Sequence, residues 1–172
     1  RSFVAEAFLG TTAGSVPGMN LQHFWRYSVN TARLARSLAG IVHRNQTIAY
    51  TAGLLHGLGE LVLHLRDPQG SSAASSVVAP LDLRRSKVQK RAWGYGYAAV
   101  SAALAQQWHL PNVLVDAMRH HNAPFDDEVY EPLAAILHLA VWRARAREAG
   151  FTPRELAATF PGEVGVALDM DI

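Results

Sequence analysis

The chain has 172 residues, 49% of them apolar, which suits one domain with a sizeable core. Its 16 Lys and Arg stand against 14 Asp and Glu, and a surplus of +2 is not the footprint of a dedicated nucleic-acid binder. The absence of cysteine excludes disulfides and thiolate metal sites and fits a reducing, cytoplasmic setting; with no signal peptide and no apolar run of about 18 residues in view, no membrane span is expected.

The sequence opens on Arg1 rather than Met and enters directly into apolar residues, so it reads as a fragment. Phe3, Val4, Ala7 and Phe8 have helical spacing, as in the tail of a helix over 2–9. Residues 10–18 are rich in Gly, Thr, Ser and Pro and read as loop. Asn20 is a candidate cap. After it Leu21, Phe24, Trp25, Ser28, Ala32 and Ala35 recur at three- and four-residue steps, the pattern of an amphipathic helix of about six turns. Arg26, Arg33 and Arg36 fall off that stripe. A break at 43–46 follows, with Thr47 the expected cap of a helix over 48–55. Gly57 and Gly59 each cost a helix about 1 kcal/mol, so it should end or bend there. Residues 60–65 continue as a short apolar helix that stops before Pro68. Residues 69–76, rich in Ser, Ala and Gly, read as a mobile connection or a weak helix.

Ser86 and Gln89 have capping-box spacing and predict a short helix to Trp93. Gly94 to Tyr97 reads as a glycine hinge. A helix over 97–108 follows, with Val100, Ala103, Leu104 and Gln107 on one side. Pro111 suits the first position of a helix that runs to about His121 and ends before Pro124. Residues 128–148 predict a long helix with Leu133, Ile136, Leu137, Ala140 and Val141 inward. Arg143, Arg145 and Arg147 near its end complement the helix dipole. Thr152-Pro-Arg-Glu155 has capping-box spacing and opens a last short helix to Phe160. No window alternates with period two, so the fold class is all-α; no internal repeat is visible.

Five blocks stand in order: Phe24-Trp-Arg-Tyr-Ser28, Ala52-Gly-Leu-Leu-His-Gly-Leu-Gly59, Gly94-Tyr-Gly-Tyr-Ala-Ala-Val100, Trp108-His-Leu-Pro111 and Arg119-His-His121. Leu137-His-Leu-Ala140 fits a closing helix. Together they resemble the HDOD family, the HD-related output domain of bacterial signalling proteins, over about 21–145. The resemblance implies an HD-like multi-helix bundle. In it 1–20 would be the tail of an N-terminal helical lobe plus a loop, and 21–172 the HD-like lobe.

HD enzymes use imidazole nitrogens and carboxylate oxygens on metal ions that activate water and neutralise phosphate charge. By the resemblance, the ligand positions fall on Tyr27, the pair His56–Gly57, Tyr97, and a place on or beside Val141. His120, His121 and His138 stand close to them in the pattern. Gly57 offers no donor, and two phenols replace two imidazoles. The implied pocket of Tyr27, His56, Gly57, Tyr97, His120, His121 and His138 is therefore vestigial, with no metal, no cofactor and no catalytic residue expected.

The bland readings stand beside this one. His56 at a helix end is most simply a buried histidine bonded to backbone. Of His120 and His121, helical geometry turns one inward and one to water. Tyr27 and Tyr97 would fill the volume of an ion, their hydroxyls bonded to His56 or His120. Trp25, Trp93, Trp108 and Trp142 read as core, and the basic run of Arg84, Arg85, Lys87, Lys90 and Arg91 as a solvated helix start.

The favoured function is a non-catalytic signalling or regulatory module acting on other signalling proteins or domains, with a homo-oligomer as an option. The alternative is a residual metal-dependent phosphohydrolase built on His56, His120, His121 and His138, with Asp116 or Glu60 as carboxylate. A nucleic-acid or nucleotide platform on the basic run with Trp93, Tyr95 and Tyr97 is disfavoured by the small charge surplus.

Overall fold

The computed structural model describes residues 15–80, 82, 84–126 and 130–170; the helix expected over 2–9 lies outside them. The described residues form helices and no strand, as the all-α reading requires. In chain order they are α1 (Leu21–Ile41), α2 (Gln46–Leu55), α3 (Leu58–Arg66), α4 (Pro68–Val77) and α5 (Arg85–Trp93). Then come α6 (Tyr97–Gln107), α7 (Asn112–His120), α8 (Pro132–Glu148), α9 (Pro153–Thr159) and α10 (Gly162–Ala167).

Helix α1 begins where Asn20 accepts a hydrogen bond from the His23 N–H. Its buried face is Phe24, Tyr27, Ser28, Thr31, Ala32, Ala35 and Ala39, while Trp25 turns outward at 41% exposure. The small residues let α1 lie close against α2. At Gly53 an added Cβ would meet the Ala32 backbone at 2.6 Å. Helix α8 is the central strut. Ten of its residues are buried, Leu133, Ile136, Leu137, Ala140 and Val141 among them, and it packs on α1, α2, α7 and α10. It starts at Pro132, later than the expected 128, with Pro at the first turn.

The glycine-rich join behaves as a bend. His56 ends α2, Gly57 opens α3, and Gly59 sits inside α3. The reason for Gly59 is packing rather than termination. A Cβ there would collide with the Tyr97 carbonyl oxygen and meet the Ser101 N–H at 2.8 Å, so glycine lets α3 lie against the start of α6. Ser101 Oγ completes the contact, accepting from the Gly59 N–H and donating to the His56 carbonyl.

Several local expectations are corrected. Asn45, not Thr47, caps α2, accepting from the Thr47 and Ile48 N–H groups. Residues 69–76 belong to a full helix, α4, capped by Asp67 and opened by Pro68. Ser86 and Gln89 form no capping box: both are buried inside α5, which has no side-chain cap. Pro111 precedes α7 as its cap residue instead of occupying its first turn. Helix α6 buries Tyr97, Ala98, Ser101, Ala102, Leu104 and Ala105, so Ala103 and Gln107 face water. Trp108 is 44% exposed and, with Trp25, is not core. The Thr152–Glu155 capping box is present, and α10 was not anticipated.

The segment Gln46–Arg66 is long and apolar enough by composition to cross a membrane, contrary to the expectation that no such run exists. It is bent at His56–Gly57 into two helices, and 61% of its most apolar window is buried inside the bundle.

Candidate functional site

Four of the seven residues singled out from the sequence converge in the core. Tyr27 comes from mid-α1, His56 from the end of α2, Tyr97 from the first turn of α6 and His121 from the end of α7; all are essentially unexposed. Their rings touch in series. Tyr27 lies 5.7 Å from His56, His56 meets His121 edge-on at 5.5 Å, and His121 lies 5.7 Å from Tyr97. Gly57 contributes only backbone at the bend. His120 is half-buried on the outer side of α7, and His138 is half-buried on α8. The division of the His120–His121 pair into an outer and an inner ring follows helical geometry.

Each inner imidazole is oriented by its own backbone. His56 Nδ1 donates to the Gly53 carbonyl at 2.7 Å and His121 Nδ1 to the Met118 carbonyl at 2.8 Å, while His138 Nδ1 donates to the His121 carbonyl at 2.7 Å. In neutral rings that tautomer leaves Nε2 as acceptor. The Tyr97 hydroxyl lies 3.1 Å from His121 Nε2 and 3.1 Å from Asn122 Oδ1. One hydroxyl proton serves one acceptor, and His121 Nε2 needs it. Turning the Asn122 amide by half a turn then offers its Nδ2, otherwise without a partner, to the phenol oxygen. Tyr97 thus pairs with His121, not with His56 or His120. His56 Nε2 and the Tyr27 hydroxyl have no hydrogen-bond partner among the described residues.

Burial keeps the cluster neutral. It lowers His56 to about 4 against the pull of the Gly53 carbonyl, and lowers His121 to about 3 with help from His56 beside it. It lowers His138 as well. It pushes both phenols well above the ordinary tyrosine range, although the Arg145 guanidinium, 5.9 Å over the Tyr27 ring, pulls the other way.

These residues do not fit a divalent ion. His56 Nε2 is the one free imidazole nitrogen of the inner four-ring cluster. Gly57 has no side-chain donor, and Val141, on or beside which the resemblance implies an oxygen ligand, is a fully buried hydrocarbon. Among the described residues no group of three or more His, Cys, Asp or Glu is placed to hold a metal. A backbone carbonyl fixes the tautomer of each of the His56, His121 and His138 imidazoles.

The two carboxylates considered for the alternative lie elsewhere. Asp116 is exposed on α7. Glu60 is fully buried but committed. Its Oε1 accepts from Arg85 Nε at 2.8 Å, and its Oε2 accepts from Gln89 Nε2 at 2.6 Å. His64 Nε2 lies 3.3 Å from the same carboxylate. Burial pushes the Glu60 carboxyl up, but the His64 bond, the Arg85 charge and Gln89 outweigh it, so its pKa lies below the usual value. Arg85 also donates to the Val78 and Ser71 carbonyls and to Ser75 Oγ, and Gln89 Oε1 accepts from the Tyr97 N–H. Arg85 is thus the fully buried hub of a polar network, not part of a solvated basic run. The signal available in sequence was the Ser86/Gln89 spacing, which marks the buried face of α5 rather than a cap.

The HDOD domain family model matches residues 1–124. The chain belongs to the HDOD family. An uncharacterized protein of Treponema pallidum (strain Nichols) is 31% identical over 137 residues, which are 78% of this chain and 26% of that protein. A Shewanella amazonensis SB2B protein provisionally called a phosphohydrolase superposes with a TM-score of 0.78 at 27% identity, over 98% of this chain and 61% of its own. A Marinobacter aquaeolei VT8 protein provisionally called a signal transduction protein gives 0.72 at 22% identity, over 97% and 38%. The HDOD chain thus spans about a quarter of its sequence relative and under two thirds of these structural neighbours.

Proposed function

We propose that this HDOD domain is a non-catalytic regulatory module of a cytoplasmic signalling protein, acting by contact with other signalling proteins or domains. The reading rests on one observation. Tyr27, His56, His121 and Tyr97 form a buried, neutral series of touching rings whose donors do not suit an ion, and the family resemblance implies ligand positions at Tyr27, His56 and Tyr97. In-line phosphoester hydrolysis in this superfamily needs that ion to activate water and offset phosphate charge. A bundle without it retains packed surfaces and a core that a partner or ligand can bias. The signal-transduction name of the Marinobacter neighbour agrees with this role.

The test is metal content by mass spectrometry together with turnover of cyclic dinucleotides and phosphate monoesters, on protein purified without chelator. The expected result is substoichiometric metal and no turnover above a His56→Ala variant. Stoichiometric iron, manganese or zinc with turnover that His56→Ala abolishes would instead establish the phosphohydrolase suggested by the Shewanella neighbour's name.

A further inference from the structure

A second site lies outside the ring cluster. A cleft of about 220 Å³ opens between α5, the start of α6 and the end of α7. Lys90, Arg119 and His120 line it, with Asp126 the one carboxylate among the described lining residues. Its floor is the N-terminus of α6. Gly96 caps that helix without any side chain, and the Ala98 N–H has no acceptor among the described residues. Ser86 also lines the cleft. The residue as a whole is only 6% exposed, and no hydrogen bond to its hydroxyl is made among the described residues. A Cβ at Gly96 would meet Ser86 Oγ at 2.5 Å, so glycine brings this hydroxyl and the helix end together.

We propose that this cleft binds a small tetrahedral oxyanion, a phosphate or phosphate monoester. The donors come from separate elements: Ser86 Oγ and Lys90 from α5, the Ala98 N–H from α6, and Arg119 from α7. Such an arrangement suits an anion with several acceptor oxygens better than a planar carboxylate. The α6 dipole adds partial positive charge on the floor. The cleft is coupled to the core by one side chain. Asn122 lines it and also bonds the Tyr97 hydroxyl, which holds His121. An occupied cleft would therefore be felt in the buried rings. This inference does not depend on the regulatory reading, because binding is measured directly and needs neither partner nor turnover.

The experiment is a two-dimensional amide NMR titration of the chain with inorganic phosphate, methyl phosphate and, as control, chloride at equal ionic strength. Saturable shifts at Ala98, Ala99 and Asn122, extending to Tyr97, are expected with phosphate and not with chloride. Lys90→Gln and Arg119→Gln, both surface changes, should each weaken binding about tenfold. Asp126→Asn should tighten it by removing a like charge. Methyl phosphate binding as well as inorganic phosphate assigns the site to monoesters; its failure while phosphate binds assigns it to the free anion. Shifts that never saturate, equal shifts with chloride, or phosphate affinity unchanged in Lys90→Gln and Arg119→Gln would overturn the assignment.

Discussion

At Tyr97 one hydroxyl decides whether a buried imidazole is satisfied. Removing it in Tyr97→Phe leaves the ring volume intact but strips His121 Nε2 of its donor. A buried acceptor left alone costs about 1–3 kcal/mol. Denaturant unfolding of the two proteins checks this, and equal midpoints would mean the bond contributes nothing. The same residues set an acid limit. Folding lowers the pKa of His56 and His121 to about 4 and about 3, from 6.5. Below pH 6.5 the unfolded chain gains protons that the folded one refuses. Stability is thus complete above that pH and falls beneath it by about 1.4 kcal/mol per pH unit for each histidine. His138, also lowered, acts in the same direction. Glu60, held low, stabilises above the ordinary glutamate range and loses that effect as pH falls through its lowered folded value. Urea midpoints measured from pH 7.5 to 5 should therefore drop, and a flat profile would show that the rings are not sealed from water.

At the level of elements, α3, α4, α5 and α6 are tied by the Glu60–Arg85–Gln89 network. Arg85→Met leaves the Glu60 carboxylate buried without its cation, at a cost of about 3–5 kcal/mol. The double variant with Glu60→Met should recover a large part of that loss in a double-mutant cycle; strict additivity would argue that the pair is not coupled. Gly59→Ala is the sharper steric change. The new methyl meets backbone of α6, which cannot turn aside as a side chain can. A loss of several degrees in melting temperature is expected, against little change for Gly162→Ala, where the added atom meets open space. Helix periodicity and caps were legible in the sequence, as at Asn20 and Thr152–Glu155. Ser86 and Gln89 were not. Their spacing is shared by a capping box and by one buried helical face, and only the position of Glu60 on another helix separates the two. Arg85 escapes a local reading for the same reason. Nothing local distinguishes a solvated arginine from one that reaches a buried carboxylate 25 residues away in sequence.

Taken as a whole molecule, the HDOD bundle surrounds four rings, of which Tyr27, His56 and Tyr97 hold positions where the family resemblance implies metal ligands and His121 packs between His56 and Tyr97. The sequence reveals which ligand types are absent there, because Gly57, Tyr27 and Tyr97 can be read directly. It does not reveal which histidine turns inward to pair with which phenol, since that depends on how α7 rotates against α6 and α8. Crystals grown with excess manganese, with data collected for anomalous scattering, address the central claim most directly. The expected map shows no ordered anomalous peak within coordination distance of His56 Nε2 and the four rings in contact. A fully occupied ion bound to His56 and His121, with Tyr97 displaced, would contradict it.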